Sequence, residues 1–422
     1  MSARCALALN LEQSDWLLRL TTACIQKHTH EWRTLHTDRL AETILMQVDF
    51  LQAMEAAALT GKRLQARRYF IHHPQMGLPL GVEGELALPD LPTAGDIADW
   101  LALSPGELDW FADLHGLNRK TSTTALRHYA CKWIEKRNGA PRLIEAPKQR
   151  LARMQRRILH TLLDYVPPHE TAHGFRARHS ILTHARAHSG KGVVVRIDLQ
   201  DFFTSIHAAR VHALFTALGY PRDAARVLTG LCTHRTPSDV LQAAPPAVLW
   251  STRRRLAAPH LPQGAPTSPA LANLCAFGLD VRLESLAQTF DMAYTRYADD
   301  LTFSGPASCA RQAQRLERLV ASIALEEGFT VNHRKTRVMT QAMQQRVTGA
   351  VVNQRPGVDR RTFDRLKAVL YNCVRYGPGS QNHAAQQDWR AHLCGKVAHV
   401  AMLNPVQGKK LQALFQKIDW SI

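Results

Sequence analysis

Long hydrophobic runs are missing from this 422-residue chain. The longest apolar run near its start covers residues 5–9, too short for a secretory signal, and no stretch is long enough to span a bilayer. Cysteines are few: eight, scattered, with no C-x-x-C pair. That excludes a disulfide framework, and the thiols read as buried groups in a reducing cytoplasm. The 21 histidines form no H-E-x-x-H motif and no Cys/His zinc spacing. No internal repeat or low-complexity tract is present. Acidic residues are the other scarcity: 35 Asp and Glu stand against 53 Lys and Arg, a formal net charge of +18. A balance of that sign suits a partner with a phosphate backbone. A membrane-surface protein would carry a long amphipathic basic helix or a lipidation signal, and neither occurs.

The positive charge is concentrated. Residues 117–157 hold 12 Lys and Arg against 2 Asp and Glu, and residues 355–422 hold 11 against 4. Two separated basic segments flanking an acidic centre fit a nucleic-acid channel. The length suits two or three domains.

Residues 1 to about 75 read as helical, with Leu17, Leu18, Leu20, Leu40, Ile44, Leu45, Val48 and Leu51 at helical spacing. A Pro/Gly-rich stretch, residues 74–95, reads as a linker or an irregular connection. Ser104-Pro105-Gly106-Glu107 predicts a helix start with serine as N-cap, proline at N1 and a capping-box glutamate. Lys136-Arg137-Asn138-Gly139 predicts a turn between strands at 129–134 and 141–145, followed by a basic helix over 149–163. The valine-rich run 192–199 predicts a buried central strand. Ser268-Pro269 predicts an N-cap and N1 opening a helix to about residue 286. Residues 292–297 and 301–304 predict a hairpin with Asp299 and Asp300 at its turn. An amphipathic helix over 311–327, a strand pair within 331–352 and a mainly helical end complete the pattern. This order gives an α+β core: an antiparallel sheet, helices on its back and carboxylates on its open face.

The carboxylates carry the chemistry. Asp198 ends the central strand, in Val195-Arg196-Ile197-Asp198, and Asp299 and Asp300 stand in Tyr297-Ala298-Asp299-Asp300. One strand-end aspartate is commonly a turn cap, and adjacent aspartates are common in turns. Their combination on neighbouring strands is a site for two magnesium ions, which clamp the attacking and leaving oxygens of a phosphoryl displacement. The substrate would be a nucleoside triphosphate. A second motif is Leu261-Pro262-Gln263-Gly264-Ala265-Pro266-Thr267-Ser268-Pro269, whose glycine lets backbone approach a ligand closely.

These motifs resemble those of reverse transcriptases, and among them the bacterial retron type. The resemblance covers about residues 96 to 375. The Asp198 strand is similar to motif A, the Leu-Pro-Gln-Gly segment to motif B, and Tyr-Ala-Asp-Asp to motif C. Val347-Thr348-Gly349 matches a short retron element, and His184-Ala185-Arg186-Ala187-His188 resembles the retron N-A-x-x-H element with histidine in place of asparagine. The resemblance implies a right-hand polymerase fold of fingers, palm and helical thumb. It implies that Asp198, Asp299 and Asp300, with the Leu199 carbonyl, hold two Mg2+ ions. It makes Phe203, five residues past Asp198, a steric gate against the ribose 2′-hydroxyl. Gln263, Lys136 and Arg142 would contact the incoming nucleotide. Lys335 resembles the motif D lysine, a general acid for pyrophosphate departure.

The expected domains are a helical extension and linker at 1–95, fingers and palm at 96–352, and an RNA-binding thumb at 353–422 that includes Lys409 and Lys410. The implied activity is RNA-directed DNA synthesis on the chain's own structured noncoding RNA, primed from a guanosine 2′-hydroxyl and yielding branched RNA–DNA. Antiphage defence with an effector protein is the implied biological setting. Two alternatives remain at this point: a mobile-intron or diversity-generating reverse transcriptase, and an RNA-binding scaffold that does not polymerise.

Overall fold

Strand β3 (Val193–Gln200) organises the molecule because its two faces carry different residues. Val193, Val195, Ile197 and Leu199 face one way and are buried in the main core, while Val194, Arg196 and Asp198 alternate onto the other face. Burying each of those four apolar side chains is worth about 1.5–3 kcal/mol. The strand is flanked on both sides. It pairs antiparallel with β5 (Asp300–Gly305) on one edge. On the other it pairs with β7 (Arg337–Thr340) and β6 (Thr330–Val331). Strand β4 (Ala293–Tyr297) closes the sheet as the hairpin partner of β5. The computed structural model describes residues 15–28, 37–61, 74–80, 86–121, 123–136 and 139–421.

Helices Ser268–Cys275, Phe277–Thr289 and Ala313–Glu326 cover the back of this sheet, contributing Leu271, Leu279, Leu283, Leu316 and Val320 to its core. The expected single helix from 268 to 286 is thus two, interrupted at Ala276. Ser268 is also not its N-cap. Its hydroxyl donates backwards to the Pro262 carbonyl at 2.7 Å, and Thr267 precedes the helix in helical backbone geometry without capping it. By contrast, Ser104 caps the helix Pro105–Ala112 with both bonds of the capping box formed.

A second hairpin, β1 (Tyr129–Lys136) and β2 (Gly139–Pro147), precedes the basic helix Gln149–Thr161. Arg137 and Asn138 of its predicted turn lie outside the described residues, as does the Lys136 side chain. A short pair, β8 (Arg346–Val347) and β9 (Ala350–Val351), packs with Val194, Ala185 and Met339.

Two compact units divide at Pro74/Gln75, earlier in the chain than residue 95. The Pro/Gly-rich stretch belongs to the second unit beyond that point. Gly77 N–H donates to the Gly219 carbonyl at 2.7 Å, Leu80 N–H to Ala217 at 2.8 Å, and Leu91 is buried in the core. Residues 81–85 lie outside the described set. The first unit contains helices Asp15–Lys27, Thr37–Leu45 and Val48–Leu59. Leu17, Leu20 and Cys24 are buried there, whereas Leu18, Leu45, Val48 and Leu51 of the expected apolar face are exposed.

The C-terminal helices Arg360–Tyr376, Trp389–Leu403 and Pro405–Phe415 bury Leu366, Leu370, Leu393, Val397 and Leu411 in a core of their own. Gly408 is required there: a Cβ on it would sit 2.4 Å from Ala401.

Candidate active site

The β4–β5 hairpin turns on two residues, Ala298 and Asp299, because Tyr297 and Asp300 are already paired across it. Asp300 is therefore the first residue of β5 and not a turn residue, a correction to the expected placement. Ala298 takes the left-handed conformation at φ +58°, which costs a non-glycine residue energy and must be held by its surroundings. In the β3–β5 ladder Asp198 and Asp300 are direct cross-strand partners. The Asp299 carbonyl accepts from Leu199 N–H at 2.8 Å. All three carboxylate residues and Leu199 thus meet at one end of the central strand pair.

Two like charges directly opposite destabilise a sheet unless they are compensated. Here they are. Lys335, from the short turn His333–Lys335, places Nζ 3.0 Å from both oxygens of Asp198. Arg196, two residues before Asp198 on the same face, is ion-paired to Asp300 at 2.9 Å. Burial raises the Asp300 carboxyl to about 6; Arg196 works against that, and the neighbouring charges of Asp299 and Asp198 add to it. A site that raises a carboxyl this way is one where a cation would be welcome, so the donor set fits a hard, oxygen-seeking metal ion. The three carboxylates do not converge on a point. Among the described residues the only group of three potential ligands within 4.8 Å of one another is Cys131, Glu145 and His234.

What holds the turn was not evident from motifs. Arg296 is fully buried beneath it and donates to both oxygens of Asp280, at 2.8 and 2.6 Å, to Asn273 at 3.0 Å, and to the Ala298 carbonyl at 3.2 Å. Tyr294 adds a bond to Asp280 at 2.8 Å. Asn273 in turn donates to the Gly174 carbonyl at 2.8 Å. Gly174 has no room for a side chain, since a Cβ would lie 2.7 Å from the Ala298 nitrogen. The only sequence signal for this network is an arginine in an otherwise uncharged strand and an aspartate in the helix packed on it.

Phe203 is half-buried against the core, with Phe202 at 5.7 Å and Phe175 at 6.0 Å between ring centres; Phe175 also lies 6.5 Å from Tyr297. Its ring therefore belongs to an aromatic group that includes Tyr297, next to the turn. Gln263 is tied to the β1–β2 hairpin: its carbonyl accepts from Glu145 N–H at 2.9 Å. Arg142 is exposed on β2, opposite Ile134. Lys409 and Lys410 are exposed on the helix Pro405–Phe415, which belongs to the separate C-terminal core.

A reverse transcriptase (RNA-dependent DNA polymerase) family profile matches residues 134–358. The chain is 39% identical to the retron Mx65 reverse transcriptase of Myxococcus xanthus over 86% of its own length and 80% of that protein. It is 36% identical to the retron Mx162 enzyme of the same organism, over 79% and 68%. It is 32% identical to the retron Ec86 reverse transcriptase of Escherichia coli, over 59% and 71%. The chain belongs to the retron reverse transcriptases. It is accordingly an RNA-directed DNA polymerase with the right-hand fold.

In this reverse transcriptase the two segments that resemble retron elements touch one another. His184 and His188 lie on and just after the helix Ile181–Ala187, which Ser180 caps. His184 Nδ1 is 3.4 Å from the Thr348 hydroxyl, and its ring lies 5.6 Å from Tyr297. His188 is fully buried and bridges strands β4 and β5, bonding the side chains of Thr295 and Ser304 at 2.7 Å each. Burial pushes His188 down to about 3 and His184 well below its ordinary value, so both rings are neutral. They brace the hairpin that carries Asp300. No described helix is long and apolar enough to cross a membrane.

Proposed function

We propose that Asp198, Asp299 and Asp300 are the metal-binding carboxylates of this polymerase, with the Leu199 carbonyl as a further oxygen ligand. The observation that carries the proposal is the direct pairing of Asp198 with Asp300 beside the Asp299 turn. When bound, two Mg2+ ions would supply Lewis-acid stabilisation of the oxygens that change charge during phosphoryl transfer. The chain's own residues do the rest. Arg196 keeps Asp300 oriented and partly neutralised. Lys335, whose Nζ lies 3.0 Å from both oxygens of Asp198, acts in this reading as the general acid for departing pyrophosphate. The Phe203 ring narrows the space open to a ribose 2′-hydroxyl. Gln263 contacts the nucleotide, while Lys136 and Arg142 of the hairpin contact its triphosphate.

The relatives are retron enzymes, which supports a structured noncoding RNA as template and primer, and deoxynucleotides as substrates. In this reading synthesis starts from a guanosine 2′-hydroxyl of that RNA, and the product is branched RNA–DNA made in the cytoplasm. The C-terminal residues 353–422 act as the thumb, with Lys409 and Lys410 on RNA phosphates; folded RNA is recognised largely through shape, 2′-hydroxyls and phosphates. The N-terminal unit, up to Pro74, forms an accessory region. Antiphage defence with an effector protein is the setting this activity would serve. Co-expression with the cognate RNA gene tests the product. Branched RNA–DNA should accumulate with the wild-type chain and be absent with Asp198→Asn, and linear cDNA alone would refute the priming mode.

A further inference from the structure

We propose that Glu145 and His260 form a buried positioning pair that sets Gln263 against the β1–β2 hairpin, and so governs nucleotide affinity without touching the nucleotide. The inference rests on Gln263 being a nucleotide contact.

Both side chains are fully inaccessible to solvent. His260 Nδ1 lies 2.8 Å from the Ala258 carbonyl, which only accepts, so that nitrogen carries a proton. Its Nε2 lies 2.8 Å from Glu145 Oε2. Burial alone favours the neutral form of each group. Their mutual attraction outweighs it, holding Glu145 below and His260 above their ordinary values. The pair is an imidazolium facing a carboxylate. Thr236 fills the other carboxylate oxygen, donating at 2.6 Å, while His234 Nε2 stops at 3.7 Å.

The pair joins two segments far apart in the chain, beside the backbone contacts they also share. Glu145 belongs to β2, and His260 opens the segment leading to Leu261-Pro262-Gln263-Gly264. His260 is fixed from behind by reciprocal backbone bonds with His234, 2.9 Å each, and Leu261 N–H donates to Ile206 at 3.1 Å. Glu145 N–H reaches the Gln263 carbonyl at 2.9 Å. Gly264 completes the fit. It has φ +137°, and a Cβ on it would sit 3.0 Å from the Glu145 carbonyl oxygen. A one-residue slip of this segment would break all of these contacts together. Buried ion pairs are poor sources of net stability, and their best-attested use is to fix register. Register is what this pair controls, because the residue it places is Gln263.

The test is a double-mutant cycle with Glu145→Gln and Gln263→Ala, read as deoxynucleotide KM and kcat in extension of an annealed primer on RNA. Glu145→Gln keeps the side-chain shape and removes the charge. It should raise KM about tenfold with kcat within about twofold. In the Gln263→Ala background the same change should add less than about twofold. Equal factors in the two backgrounds, or a loss confined to kcat, would overturn the inference. An unchanged KM in Gln263→Ala alone would overturn the nucleotide-contact reading instead. If Glu145→Gln does not fold, His260→Gln, whose amide can still donate to the carboxylate, carries the same cycle and the same criteria.

Discussion

The palm and the C-terminal helices treat charge in opposite ways. In the palm nearly every charged side chain near the site has an assigned partner: Asp198 with Lys335, Asp300 with Arg196, Asp280 with Arg296, Glu145 with His260. In the C-terminal helices Lys367, Lys396, Lys409 and Lys410 stand exposed around a small apolar core. Position matters in the first region, because each charge is placed to about an ångström by another. In the second, under the proposed RNA-binding role, only the total would matter, because exposed lysines act on phosphates as interchangeable point charges. Palm substitutions should therefore act in an all-or-none way, and thumb substitutions by degrees.

The sharpest contrast should come from Asp198→Asn. If Asp198 holds metal as proposed, its loss removes several kcal/mol of charge stabilisation, so extension should fall by roughly a thousandfold or more. Single-turnover extension rates check this. Asp280→Ala leaves Arg296 buried without its counter-charge and should cost about 3–5 kcal/mol of stability, read from denaturant midpoints. A cost near zero would mean that the turn is held by packing alone. The buried histidines make stability depend on pH. His188 titrates at about 3 when folded, against 6.5 unfolded, so the unfolded chain binds the proton first as pH falls. Stability present above pH 6.5 should decline as pH drops toward 3, and His188→Asn should flatten that decline in unfolding curves at pH 7 and 5. Phe203→Ala should keep extension active while raising the ratio of ribo- to deoxynucleotide incorporation. An unchanged ratio would make the ring a packing residue of the Phe175 group. The smallest effect belongs to the thumb. Lys409→Ala with Lys410→Ala should weaken RNA binding several-fold and lower the salt slope by about 1.4–1.8, with nucleotide KM unchanged.

The same contrast explains what could be read from the sequence. Strand ends and a hairpin turn are local features, so residue type and setting were enough to bring Asp198, Asp299 and Asp300 together in the sequence reading, as they are in the fold. The same held for the capping box at Ser104, whose bonds are local, but not for the supporting pairs. Asp280 and Arg296 are 16 residues apart and Glu145 and His260 are 115 apart, and nothing periodic links them. Local signals also misled where a tertiary partner competed. Ser268 looked like a cap, but its hydroxyl is taken by the Pro262 carbonyl. Asp300 looked like a turn residue, but the ladder with Asp198 extends β5 to include it. In the N-terminal unit the apolar spacing correctly predicted helices, yet it could not tell Leu17, which is buried, from Leu18, which is exposed.

The division of labour between palm and thumb is tested most directly by one paired measurement on Asp299→Asn. Primer extension in magnesium buffer and equilibrium binding of the structured RNA are read on the same preparation, beside the wild-type chain. Extension should be lost while the RNA dissociation constant stays within about twofold of wild type, because the basic surface is untouched. Extension at the wild-type rate would contradict the assignment of the carboxylates, and a matching loss of RNA affinity would contradict the separation of the two regions.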